Sequence, residues 1–258
     1  VNDSEDISSE LFQTYARHYA SMEERGNGER LPADLERLKR DRLPRWIDEV
    51  PRDARILDAG CAEGHLLEAL RRVGYSRLTG VDLSRELLAS ARRRLPGTVE
   101  LIEADLRLWL KQAADNTYDL IFFHDVLEHL PRQHTIEVLR EFHRILAPGG
   151  RLRIRVPNMS CLIAANCMAI DFTHVTHFTE FSLLQVLEAA GFDPDRVVLE
   201  KQAPRLFWSW CQPHRAFFRL LNRLRWHLNN GVHKALYMLV DFLRPTVFDP
   251  NVIVVAFK

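Results

Sequence analysis

Five short apolar runs that alternate with helical segments constrain this chain more than any other feature. From about Ala54 the runs "ARILD", "RLTGVD", "VELIEAD", "YDLIFF" and "RLRIRVP" are separated by stretches such as "SRELLASARRRL" and "TIEVLREFHRIL", the second stopped by "APGG". Strands alternating with helices in this way predict an α/β fold with a doubly wound, mostly parallel sheet. "DRVVLEK" and "NVIVVAFK" read as two further strands, and 258 residues with 47% apolar content are enough for one full core. Residues 1–50 are polar and charged, with Phe12, Tyr15 and Tyr19 at helical spacing, and predict an N-terminal helical cover on a main domain of residues 51–258.

The first strand runs into "LDAGCAEG", where the small residues from Ala59 to Ala62 and then Gly64 form a tight turn before a helix striped by Leu66, Leu67 and Leu70. In an open parallel sheet, ligands lie beyond the carboxyl ends of the strands, and the first strand-turn-helix unit presents its backbone to them. The next strand ends in Asp82, where a carboxylate can accept both hydroxyl hydrogens of a ribose, and the third ends in Asp105, one strand over on the same rim. A dinucleotide enzyme would space its glycines G-x-G-x-x-G and seat a pyrophosphate on the helix N-terminus; here the spacing is G-x-x-x-G.

Taken together, "LDAGCAEG", "GVDLS", "EADL", "YDLIFFHDVLEHL" and "LAPGGRLRIRVPN", in this order, resemble the class I S-adenosylmethionine-dependent methyltransferases over roughly residues 51–201. The resemblance implies the seven-stranded, Rossmann-like methyltransferase fold and S-adenosylmethionine as cofactor. It places Gly60, Cys61, Ala62 and Gly64 against the methionine part, with Asp58 supporting the turn. By the same resemblance, Asp82 and Leu83 lie at the ribose, Asp105 and Leu106 at the adenine, and the backbone of His124 at the methionine group. One departure from the family pattern is Ala62, which stands where the middle glycine is usual.

The fourth strand leads into "HDVLEH", which sets Asp125, Glu128 and His129 at spacings of three and four, so that a helical turn would gather them on one face. His174 and His177 follow the fifth strand, before a helix capped by Thr179 or Ser182. Methyl transfer from a sulfonium to a hydroxyl needs help with the acceptor's proton, from a histidine base or a bound metal. The cluster resembles the E-x-x-E-H plus histidine arrangement of small-RNA 2′-O-methyltransferases, and also that of some ubiquinone-pathway O-methyltransferases. His174, four residues before Phe178 and followed by Thr179, fits the former's spacing, and His177 does not. Asp125, Glu128, His129 and His174 are therefore the expected catalytic residues. The resemblance makes the same four the candidate ligands of a divalent metal, with the shorter Asp125 replacing the usual glutamate. A metal-free base and a purely structural cluster are the alternatives.

Lysine plus arginine equals aspartate plus glutamate, 35 each, so any electrostatic specialisation is local. It falls between Lys201 and Arg244, where eight cations face the single acid Asp241 among Trp208, Trp210, Phe217, Phe218 and Trp226. This predicts a helical insertion at about 202–245 that serves as a packed lid or dimer contact, or touches a membrane interface; nucleic acid is disfavoured. The four cysteines show no paired metal spacing, which suits a cytoplasmic setting, with the insertion placing the protein at the inner face of the membrane. The chain begins at Val1 without an initiator methionine or a signal-like apolar core, as a piece of a longer polypeptide would. Likeness to bacterial glycan-modifying methyltransferases implies a saccharide or small-metabolite hydroxyl as acceptor, lipid-linked forms included. An RNA 2′-O-methyltransferase, a phenolic O-methyltransferase and a catalytically silent cofactor-binding module are the other readings. The oligomeric state stays open.

Overall fold

The computed structural model describes residues 31, 33–161, 168–169, 171–200, 224, 227–228, 230–238 and 245–258. All seven expected strands are present: β1 (Arg55–Ala59), β2 (Arg77–Asp82), β3 (Glu100–Glu103), β4 (Tyr118–His124), β5 (Leu146–Pro157), β6 (Val197–Glu200) and β7 (Asn251–Phe257). They form one sheet in the order β3-β2-β1-β4-β5-β7-β6. Only β7 runs against its neighbours, pairing antiparallel with both β5 and β6.

Among the described residues, the helices whose bounds are complete are α1 (Leu35–Arg42), α2 (His65–Arg72), α3 (Arg85–Arg94), α4 (Leu106–Leu110), α5 (Arg132–Ile145) and α6 (Glu180–Ala189), alternating with the strands. Their starts follow from the sequence, because Asp34, Ser84, Asp105 and Thr179 each accept a backbone N–H of the first turn. Thr179 and Ser182 complete a reciprocal capping box on α6. Strand alternation then sorts the core into two layers. Leu57, Ala59, Ile121, Phe123, Leu152 and Ile154 face α4, α5 and α6, whereas Ile56, Leu78, Leu120 and Phe122 face α1, α2 and α3.

The second face of β5 is not apolar. Arg151, Arg153 and Arg155 alternate along it, and Arg153, only 9% exposed, donates to Glu200 at 2.7 and 2.9 Å and to His124 Nε2 at 2.8 Å. Glu200 also accepts the Trp46 indole N–H, and Arg151 stacks over that indole with its carbon 4.9 Å from the ring centre. The segment after α1 is thus held to the sheet by a guanidinium bridge, and removing one partner from such a pair costs about 3–5 kcal/mol when it is buried.

Of the expected N-terminal cover, residues 1–30, with Phe12, Tyr15 and Tyr19, lie outside the described residues, as do Lys201, Trp208, Trp210, Arg215, Arg219, Arg223 and Trp226 of the basic stretch. Residues 230–238 are helical, and His233 is fully buried with its ring 5.2 Å from that of Phe248. Among the described residues, no helix is long and apolar enough to cross a membrane.

Candidate active site

The glycine turn after β1 adopts conformations that explain its composition. Gly60 has φ +83°, and a Cβ there would fall 2.3 Å from Val126 Cγ2. Gly64, at φ +75°, opens α2 with left-handed backbone. Ala62 also sits in the left-handed region, at φ +45°, a conformation that costs a residue with a Cβ about 1–2 kcal/mol. Its amide donates to Asp82 Oδ2 at 2.8 Å, which holds the turn against the end of β2.

Asp82 is therefore engaged on both oxygens, Oδ1 accepting from the Ser84 amide at 2.8 Å, and it stands at the rim beside the exposed Leu83. Asp105 caps α4 and is gripped by the Arg107 guanidinium at 2.7–3.2 Å, with Leu106 next to it. Burial pushes the Cys61 thiol up, and the Asp58 charge adds to this, so it stays protonated. His124 keeps a neutral ring because burial, then Arg153 and Arg155, push its pKa down; the ring ties β4 to β5.

Asp58 is 4% exposed, and burial followed by the Asp82 charge raises its pKa to about 7. An unfolded aspartate titrates near about 3.9, so between about pH 4 and 7 the folded chain holds a proton that the unfolded chain has lost. The contribution of Asp58 to the stability of the cofactor-free protein is expected to fall as pH rises through that window and to level off above it, while the buried His124 and His129 contribute with the opposite slope. Denaturant titrations of the wild type and Asp58→Asn from about pH 4 to 8 read it as the difference between the two curves; curves that stay parallel would assign the proton elsewhere.

The acid and histidine cluster forms only in part as the spacing predicts. Leu127–His129 make a single 3₁₀ turn, and the ligating atoms of Glu128, His129 and His174 all lie within 4.8 Å of one another. Asp125 is not among them. Its backbone turns left-handed, at φ +54°, before the 3₁₀ turn begins, and its carboxylate pairs with the Arg155 guanidinium, Nε at 2.9 Å. The helical spacing failed at this residue because the helix had not yet started.

The loop after β5 is clamped onto this turn. The Glu128 carbonyl accepts from the Val175 and Thr176 amides at 2.9 and 3.0 Å, and the Thr176 hydroxyl donates to the Leu130 carbonyl at 2.6 Å. His174 lies edge-on to His129 with ring centres 4.7 Å apart, while His177 is exposed. Glu128 is 1% exposed and its Oε2 has no hydrogen-bond partner among the described residues. Burial, with the charges of Asp125 and Asp171, holds its carboxyl well above the ordinary range. Burial and then His174 lower His129 to about 4. Two residues that the sequence reading missed stand behind the cluster: Thr173 Oγ1 is 2.7 Å from His129 Nδ1, and the same hydroxyl is 2.7 Å from Asp171 Oδ1. The short spacing in "DFTH", an Asx turn into a histidine, was the available signal.

A parallel sheet of this order, with a glycine turn after β1 and acids closing β2 and β3, defines the class I S-adenosylmethionine-dependent methyltransferases. The chain matches the family described as "Methyltransferase domain" over residues 30–197, more than half its length, and belongs to that family. It is 34% identical over 218 residues to a trans-aconitate 2-methyltransferase of Rhodopseudomonas palustris (strain BisA53), covering 80% of this chain and 72% of the relative. A second protein of that name, from Azoarcus sp. (strain BH72), is 43% identical over 124 residues, which span 47% of this chain and less than half, 45%, of the relative. Among solved structures, an S-adenosylmethionine-dependent methyltransferase from Archaeoglobus fulgidus superposes with a TM-score of 0.64 at 22% identity, covering 93% of this chain and 99% of that one.

Proposed function

We propose that the chain transfers the methyl group of S-adenosylmethionine to a hydroxyl oxygen of a saccharide or related small metabolite. The observation that carries this reading is the buried Glu128 carboxyl, one oxygen of which has no hydrogen-bond partner among the described residues, grouped within 4.8 Å with the ligating atoms of two imidazoles. In the displacement the S–CH3 bond breaks with its electrons going to sulfur, the C–O bond forms, and the only proton to be handled is the acceptor's. A hydroxyl needs groups of this kind at its oxygen. The cluster also fits a divalent cation, since one carboxylate and two neutral imidazoles are its usual donors. Glu128, His129 and His174 would hold it, and it would supply Lewis-acid polarisation of the acceptor oxygen. A lipid-linked acceptor would give the basic, aromatic stretch at 202–245 a use at anionic headgroups.

The second reading is a carboxylate acceptor, favoured by the tricarboxylate in the relatives' names and by the Arg155 guanidinium close to the cluster. A carboxylate is already ionised and needs no base, so the two readings differ in product. The test incubates the protein and labelled S-adenosylmethionine with glycans, lipid-linked glycans and trans-aconitate, then treats the products with hydroxylamine. A stable methyl ether, lost on chelation and restored by added Mn²⁺ or Mg²⁺, is the expected result. A hydroxylamine-labile ester supports the carboxylate reading instead, and activity that resists chelation removes the cation from the account.

A further inference from the structure

We propose that Asp171 and Thr173 are positioning residues that fix His129 as its Nδ1–H tautomer, leaving Nε2 as the ring's electron-pair donor. The argument is a count of protons. Thr173 has one hydroxyl hydrogen and two hydrogen-bond partners for it, Asp171 Oδ1 at 2.7 Å and His129 Nδ1 at 2.7 Å. Asp171 Oδ1 also accepts the Thr173 amide at 2.9 Å, so it acts as an ionised acceptor. A carboxylate cannot donate, so the hydroxyl hydrogen points to Asp171 and the oxygen's lone pair faces the imidazole. The hydrogen between Thr173 and His129 is then the ring's own.

The arrangement is built from the chain's local grammar. Asp171 bonds the amide two residues on, in an Asx turn that sets Thr173 and His174 at consecutive positions. The clamp of Val175 and Thr176 on the Glu128 carbonyl fixes the distance between that turn and His129. One loop thus delivers His174 to the cluster and the tautomer lock to His129. Partners of this sort orient the ring and strengthen its remaining nitrogen as a donor.

The inference rests on the reaction centre proposed above, and its test can fail independently of it. Long-range ¹H–¹⁵N correlation on chelator-treated, ¹⁵N-histidine-labelled protein reads the tautomer directly. The expected spectrum has a pyrrole-like Nδ1 and a pyridine-like Nε2 for His129. Thr173→Val, close to isosteric, should give a mixture of tautomers and weaken Zn²⁺ binding by about ten- to a hundred-fold, while Thr173→Ser should restore both. Should Thr173→Val not fold, Asp171→Asn removes the charged acceptor and should mix the tautomers likewise. A protonated Nε2 in the wild type, or a wild-type pattern in folded Thr173→Val, overturns the inference. A lock that behaves as expected beside a fully active His129→Ala would uphold the positioning and overturn the reaction centre.

Discussion

Replacing His129 with alanine is expected to lower turnover by about 10²–10⁴-fold while leaving S-adenosylmethionine binding intact, the usual range for losing a group that assists proton transfer. The separation follows from where the parts lie. The glycine turn proposed for the cofactor is held by Asp82, the Val81 carbonyl and the packing of Gly60 on Val126, none of which involves the imidazole. His129 instead meets Thr173 and His174, at the loop that follows β5. His174→Ala should fall in the same range, and His177→Ala, at an exposed position outside the cluster, should keep its activity. Single-turnover assays with saturating cofactor, paired with calorimetry of cofactor binding, measure the two effects separately. Full turnover in both the His129 and His174 variants would remove the cluster from the reaction.

Asp82→Ala is expected to weaken S-adenosylmethionine by about 2–3 kcal/mol, roughly 30- to 150-fold, as charge-assisted hydrogen bonds to the ribose are lost. The structure adds a second contribution to the same sign. The carboxylate accepts from both the Ala62 and Ser84 amides at 2.8 Å, so its removal also frees a turn already in left-handed backbone. Asp82→Asn retains an acceptor oxygen and should lose less than alanine. Isothermal calorimetry on folded variants decides the matter, and an unchanged affinity in Asp82→Ala would place the ribose elsewhere.

The strands were legible because short apolar runs, continuous in β4 and β7, alternate with helical segments and are bounded by polar or turn residues, and Thr179 and Ser182 announced the start of α6. The glycine turn after β1 was legible for a similar reason, since backbone near φ +80° demands small residues. What could not be read was partnership across the sheet. Arg155 opposes His124 in the β4–β5 register, and only that register reveals why the Asp125 carboxylate pairs with the Arg155 guanidinium. Asp105 looked like an open adenine contact, but the residue two positions on supplies a guanidinium that grips it. Asp171 and Thr173 escaped notice because their meaning depends on His129, 44 positions away in sequence from Thr173.

The insertion of β7 between β5 and β6 bears on how the chain matures during synthesis. β5 is complete at Pro157 and β6 at Glu200, yet the strand that separates them begins only at Asn251. A nascent chain emerging from the ribosome therefore carries β5 as an open sheet edge until residues 251–257 arrive, and such edges invite pairing with other chains. Arg151, Arg153 and Arg155 place a positive charge at every second residue of that edge. In the finished protein they bind Glu49, Glu200 and Asp125; charge at every second residue of an open edge disfavours edge-to-edge pairing of unfinished copies.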